Sequence, residues 1–182
     1  MTAQDKTISD KTISDYITAL KKLFVIDDLP IWSASMRSKT AIRTTPKRHF
    51  TDPSIACVLL GAGREKLFND FNTFGLLFES LVVRDLRVYA DSLRGRVSYY
   101  RDKQGNEVDA IIELPDGRWG AIEIKMGSND EESAARGLLK FKKAVNTETM
   151  GEPSFLAIIT ATQFSYQRDD GVWVIPLGCL KN

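Results

Sequence analysis

The sequence predicts a mixed α/β domain with the order helix, three strands, helix, strand, preceded by a small helical segment. Three observations carry that prediction. Residues 107–126 read as a β-hairpin, because two runs of strand character are joined by Pro115-Asp116-Gly117, where Pro fixes φ and Gly supplies φ > 0. Residues 67–90 read as a long apolar helix. A further helix falls between Met126 and Phe155, long enough for a crossover that leaves its flanking strands parallel.

Composition sets the frame for the elements. The chain has 182 residues, 43% hydrophobic and 27% charged, which suits one ordinary domain plus a small second one. A net charge of +1 excludes a global electrostatic drive toward nucleic acid, so any such binding needs a local patch. Cys57 and Cys179 lie far apart with no disulfide or metal spacing, so both read as core filler in a reducing compartment. No apolar run approaches a membrane span, and the polar amino terminus is unlike a secretory signal. A soluble, cytoplasmic protein with no membrane partner is expected. No Gly-rich loop ends in Gly-Lys-Ser/Thr, so nucleotide hydrolysis is not predicted. The repeat of Lys-Thr-Ile-Ser-Asp at 6–10 and 11–15 is too short to signal a repeat fold.

In order along the chain, residues 12–26 carry Ile13, Tyr16, Ile17, Leu20, Leu23 and Phe24 at helical spacing, with Thr12 or Ser9 as cap. Such a stripe reads as core. Between Pro30 and Phe50 there is no acid, while Arg37, Lys39, Arg43, Lys47 and Arg48 make a basic patch. A helix followed by a basic, Ser/Thr-rich segment resembles part of a winged-helix module whose wing would track phosphates; a solvated loop is the equal alternative. His49 has no partner histidine or cysteine close in sequence, and reads as structural or surface. Thr51-Asp52-Pro53 starts a helix toward Leu60, and Gly61-Ala62-Gly63 marks a boundary. The expected domains are therefore 1–63 and 64–182.

In the long helix, residues 74–83 are apolar nearly all round, with Glu79 as their one charge. A buried carboxylate must be protonated, paired with a base such as Arg101, or placed on a metal. Strand 96–101 and a polar turn at 102–106 lead into the hairpin. Strict alternation there puts Val108, Ala110, Ile112, Leu114, Ile122, Ile124 and Met126 on one face, and Glu107, Asp109, Glu123 and Lys125 on the other. If the turn triplet is the whole loop, Asp109 faces Glu123 and Glu107 faces Lys125. Facing Cβ atoms lie roughly 5 Å apart, and at an effective dielectric of about 20 two like charges there repel by about 3 kcal/mol. Such a pair asks for a proton or a cation; the alternative is an exposed face with a Glu107–Lys125 pair and solvated acids. Residues 131–145 read as the crossover helix, with acids first and lysines last as its dipole prefers. Residues 155–160 and 171–177 read as strands.

This order, with Asp109 and Glu123-Ile124-Lys125, resembles the PD-(D/E)xK, or restriction-endonuclease-like, superfamily, whose core is αβββαβ with a mixed sheet. More narrowly, the stretches 74–82, Tyr100-Arg101-Asp102, Glu107-Val108-Asp109 and Ile122-Glu123-Ile124-Lys125 resemble a carboxy-terminal domain of unknown function attached to prokaryotic AAA-type ATPases. There a winged-helix segment comes first, and Pro46-Lys47-Arg48-His49-Phe50 with Asp52 is similar to its junction. The naming proline is absent, since Val108 precedes Asp109, and no RecB-like glutamine motif follows Lys125. The ATPase modules are also absent, which reads as a shortened chain or a stand-alone relative. The resemblance implies a metal-dependent DNA nuclease. Asp109, Glu123 and Glu79 would bind Mg²⁺ or Mn²⁺, Lys125 would serve the attacking water, and an ATPase module would be partner in cis or trans. Its rivals are a catalytically inactive DNA-binding or regulatory module of the same fold, and a protein-interaction domain.

Overall fold

The computed structural model describes residues 8–33 and 45–180. Helix α1 (Asp10–Lys22) starts where the Ser9 hydroxyl accepts the Thr12 N–H at 3.2 Å, and Lys21 and Lys22 in its last turn suit the helix dipole. Strand β1 (Ile26–Leu29) pairs antiparallel with β2 (Lys47–Phe50), Leu29 opposite Lys47. Helix α2 (Pro53–Leu59) is capped by Asp52 with Pro in its first turn, as the sequence predicts. Helices α3 (Arg64–Asn69) and α4 (Phe71–Ser92) replace the single helix expected over 67–90. The cause is local: the Asp70 carboxylate accepts the Thr73 N–H at 3.0 Å and so begins a new helix.

Strands β3 (Arg96–Arg101), β4 (Glu107–Glu113) and β5 (Trp119–Lys125) form an antiparallel meander. Gly117, at φ +86°, makes the turn between the last two. A short 3₁₀ turn precedes α5 (Glu131–Ala144), and α6 (Thr147–Met150) follows. Strand β6 (Phe155–Thr160) then lies parallel to β5, confirming the crossover. The two-residue β7 (Tyr166–Gln167) was not foreseen, and β8 (Trp173–Pro176) lies within the expected 171–177. The strand order is β3-β4-β5-β6-β8-β7, a six-stranded mixed sheet beside the small β1-β2 sheet.

Helix α4 covers one face through Phe78, Val82, Val83 and Leu86, which pack with Leu29, Tyr99, Ala110, Ile122 and Ile124. Helix α5 covers the other through Ala134, Ala135, Leu138 and Phe141, which pack with Trp32, Val108, Ile111 and Trp119. Trp32 stands 5.4 Å from Trp119, centroid to centroid, and its Nε1–H donates to Glu113 at 3.0 Å. Beside it the Trp32 N–H donates to the Tyr99 carbonyl at 2.5 Å, and the Tyr99 N–H to the Pro30 carbonyl at 2.9 Å. Residues 30–32 therefore occupy the outer edge of β3, where unpaired backbone would otherwise be open to another strand.

Three expectations are corrected. The α1 stripe is not core: the helix buries no residue, and Tyr16, Leu23 and Phe24 are exposed. Cys179 is exposed and Cys57 half-buried, so neither is core filler. Strict alternation along β4 fails as well. Ser98 faces Ile111 and Tyr100 faces Val108, so Asp109 and Ala110 together oppose the single Tyr99. This bulge changes the parity of β4. Val108 falls in the α5 cluster, while Ala110 and Ile112 fall in the α4 cluster. No helix among the described residues is long and apolar enough to cross a membrane.

Candidate functional site

The β4–β5 ladder runs from Glu113↔Trp119 to Ala110↔Ile122. One step further the same register would set Asp109 against Glu123, as expected from the three-residue turn. The paired ladder ends there. In its place the Asp109 carboxylate accepts the Ile124 N–H at 2.9 Å, so a side chain takes a main-chain donor at the mouth of the hairpin.

Two lysines close on these acids. The Lys125 Nζ lies 2.9 Å from Glu123 Oε2 and 3.6 Å from Asp109 Oδ2. The Lys47 Nζ, arriving from β2, lies 2.5 Å from Glu107 Oε1, 3.3 Å from Glu79 Oε1 and 3.5 Å from Asp109 Oδ1. The same ammonium sits 5.5 Å from the Tyr99 ring centroid. Asp109 thus spans both lysines, one through each oxygen. The four sequence candidates Glu79, Asp109, Glu123 and Lys125 belong to one connected cluster. Of the alternatives open for Glu79, pairing with a base is met by Lys47 and not by an arginine such as Arg101. Likewise Glu107 pairs with Lys47 and not with Lys125.

Four carboxylates share two ammonium groups, and the proton affinities of Glu123 and Glu79 reflect it. Burial first, then the Asp109 charge, pushes Glu123 up to about 7 against the pull of Lys125. Glu79 is raised for the same two reasons, with Lys47 opposing. Burial by itself would lower both lysines. For Lys47 the Glu107 hydrogen bond and the charges of Glu79 and Asp109 outweigh it, and for Lys125 the charges of Asp109 and Glu123 do so; both are held above the usual lysine range. The lysines are therefore fixed cations.

A hard divalent cation takes carboxylate oxygens, and the Lys47 ammonium among Glu79, Glu107 and Asp109 shows that a cation is accommodated there. By donor chemistry Asp109, Glu123 and Glu79 suit such an ion. As they stand, however, no three His, Cys, Asp or Glu groups among the described residues are arranged to hold one. The cluster borders a cleft of about 390 Å³ between β2 and α4, lined by Lys47, His49, Glu79 and Ser80.

Of the basic patch, Arg37, Lys39 and Arg43 lie outside the described residues. Arg48 is 3.8 Å from Asp28. Lys47, assigned by sequence to the phosphate-tracking patch, points into the acid cluster. Sequence reasoning thus missed Lys47 and Glu107 as members of the site. The available signal was complementary charge: an acid-free basic stretch at 31–49 and a surplus of acids on the hairpin. His49 is buried beside the cluster, its Nδ1 3.3 Å from the Ser80 hydroxyl.

Comparison with known proteins adds family matches. Residues 74–180 match the family described as Domain of unknown function (DUF4143), a span of more than half the chain. Residues 2–66 match Domain of unknown function (DUF8612). The crystal structure of protein VC1899 from Vibrio cholerae is similar at a TM-score of 0.37 and 12% identity, over 94% of this chain and 42% of that one. The chain thus spans less than half the length of that protein. No curated protein matches the chain.

Proposed function

The chain belongs to the DUF4143 family, and from that premise we propose that residues 64–182 are a metal-dependent, DNA-cleaving module of the PD-(D/E)xK kind, accessory to an AAA-type ATPase in cis or trans. The observation that carries the reading is the meeting of Asp109, Glu123, Lys125 and Glu79 at the end of a hairpin within the order α4, β3, β4, β5, α5, β6. Resemblance of the short motifs supports the choice of DNA and of an ATPase partner.

Asp109, Glu123 and Glu79 would hold Mg²⁺ or Mn²⁺, which when bound polarises a phosphate oxygen and makes water a better nucleophile. Lys125, held in its protonated form, offers positive charge to a developing phosphorane and a hydrogen bond to water; it is a poor base. Glu123, pushed up to about 7 by burial and the Asp109 charge, would be held in its carboxylate form by the cation it binds. Asp109 keeps its orientation through the Ile124 N–H. The amino-terminal segment, read as part of a winged helix, would bring Arg37, Lys39, Arg43 and Arg48 to the phosphate backbone.

The test is incubation of supercoiled and linear DNA with Mg²⁺ or Mn²⁺. Nicking that depends on metal and disappears in both Asp109→Asn and Lys125→Ala is the expected result. Nicking that persists in both variants rejects the site. A second reading rests on the ion pairs of Lys47, which neutralise the acids: a non-catalytic DNA-binding or regulatory module of the same fold. Binding without cutting, weakened by neutralising Arg43 and Arg48, is its signature.

A further inference from the structure

We infer that the face of α5 bearing Arg136, Lys140 and Lys143, joined by Lys103 of the turn at 102–106, seats the phosphate backbone of duplex nucleic acid. This goes beyond the cleavage site proposed above and needs no metal in the acid cluster. The three α5 cations follow one another at helical spacing, so they lie along one side of the helix, and all three are exposed, as is Lys103. Among the cations of α5 only Lys142, which lies off that side, has an ion-pair partner among the described residues, Glu152 at 2.8 Å. From Arg136 to Lys143 the helix rises about 10 Å, and over that length one strand of a duplex presents about three phosphates. Cations and phosphates therefore match in spacing. The other basic side chains on which the sequence placed the backbone and which the structure describes are engaged elsewhere: Lys47 with Glu79, Glu107 and Asp109, and Arg48 beside Asp28.

The neighbouring turn helps to build this surface. The Lys140 Nζ donates to the Asn106 side-chain oxygen at 2.6 Å, and the Asp102 carboxylate accepts the Asn106 main-chain N–H at 2.8 Å. Helix and turn thus flank a cleft of about 260 Å³ that Lys140 and Gly137 help to line. Its two acids are already engaged, Asp102 by the Asn106 amide and Glu107 by Lys47. A Cβ on Gly137 would meet nothing within 4 Å, so the packing of this chain does not call for a glycine, although alanine is the better helix former. The missing side chain leaves the helix backbone open to close approach beside the lysine. No large hydrophobic side chain of α5 is exposed among the described residues. That favours a polyanionic backbone over a lipid surface, which an interfacial helix enters with an apolar face.

A fluorescein-labelled DNA duplex is titrated with the full chain in EDTA, and anisotropy gives Kd as a function of salt. Arg136→Gln, Lys140→Gln and Lys143→Gln combined are expected to weaken binding by about tenfold or more and to lower the salt slope by about 2.7, at about 0.9 per phosphate contact. Lys142→Gln, on the same helix but off the stripe, should stay within about twofold of the wild type. Wild-type affinity in the triple variant overturns the inference and leaves the cleavage reading standing, since EDTA keeps the measurement independent of any cutting. Equal losses in the triple variant and in Lys142→Gln overturn it too, because overall charge and not the stripe would then set the affinity. A wild type that binds phosphatidylserine vesicles but no duplex overturns it in favour of a membrane. A measurement on the wild type needs no variant to fold: acylation mapped by mass spectrometry should label Lys140 and Lys143 severalfold more slowly under saturating duplex. Unchanged labelling of both lysines overturns the inference.

Discussion

Acidification should weaken the fold through His49, and by an amount the structure sets. The residue is 8% exposed, and its Nε2 has no hydrogen-bond partner among the described residues. Burial first, then the charges of Lys47 and Arg87, push the imidazole down to about 4 from 6.5. As pH falls, the unfolded chain therefore takes up this proton before the folded one does. The His49 contribution to stability is complete above pH 6.5, declines as the pH falls from there toward 4, and is flat below. A gap of about 2.5 units at 1.36 kcal/mol each gives about 3 kcal/mol. The assay is urea denaturation of the wild type and His49→Asn between about pH 7.5 and pH 4. The Asn amide can still meet the Ser80 hydroxyl but does not titrate. Carboxylates common to both proteins cancel in the difference, and the wild type should lose about 3 kcal/mol more than the variant across that range. Curves that stay parallel would refute the reasoning, because they mean that folded His49 protonates as freely as the unfolded residue.

Other perturbations test other links. In Asp109→Asn, Glu123 loses the Asp109 charge, the upward push second to burial, so its titration, followed by ¹³Cδ shifts, should move down from about 7 toward the ordinary carboxyl range while burial keeps it above; an unmoved midpoint contradicts the closeness of the two acids. A Cβ on Gly120 would lie 2.4 Å from the Phe155 ring, so Gly120→Ala should cost about 1–3 kcal/mol by denaturation, and Phe155→Leu in the same chain should recover part of it. Trp32→Ala should cost about 3–5 kcal/mol, since the indole fills the α5-side cluster and donates to Glu113; a loss below about 1 kcal/mol would show that residues 30–32 are not tied to the sheet.

The framework was legible because its signals are local. Strands 96–101 and 155–160 show in their apolar runs, the hairpin in Pro115-Asp116-Gly117, and the crossover helix in its charge order. Asp109, Glu123 and Lys125 were legible because register follows from loop length, and the ladder keeps that register up to Ala110↔Ile122. What escaped depends on information that no window contains. The bulge at Asp109-Ala110 is visible only against Tyr99 on the neighbouring strand. Asp70 reads as an ordinary polar helix residue until its side chain accepts the Thr73 N–H. Lys47 is 60 residues from Glu107 in sequence, and a basic stretch cannot declare which of its members turns inward. The stripe on α1 shows the converse limit: periodicity tells which face is apolar but not whether anything covers it.

The seat of Trp32 also bears on the order of assembly. Its indole contacts Trp119 and Phe141, 87 and 109 residues further along the chain, and its backbone needs Tyr99 already in a strand. Closing loops of that length before nearby contacts have formed is entropically costly. The segment synthesised early is thus a late guest on a sheet nucleated by its own hairpin. On the reverse path residues 30–32 should leave the sheet before the β4–β5 hairpin opens.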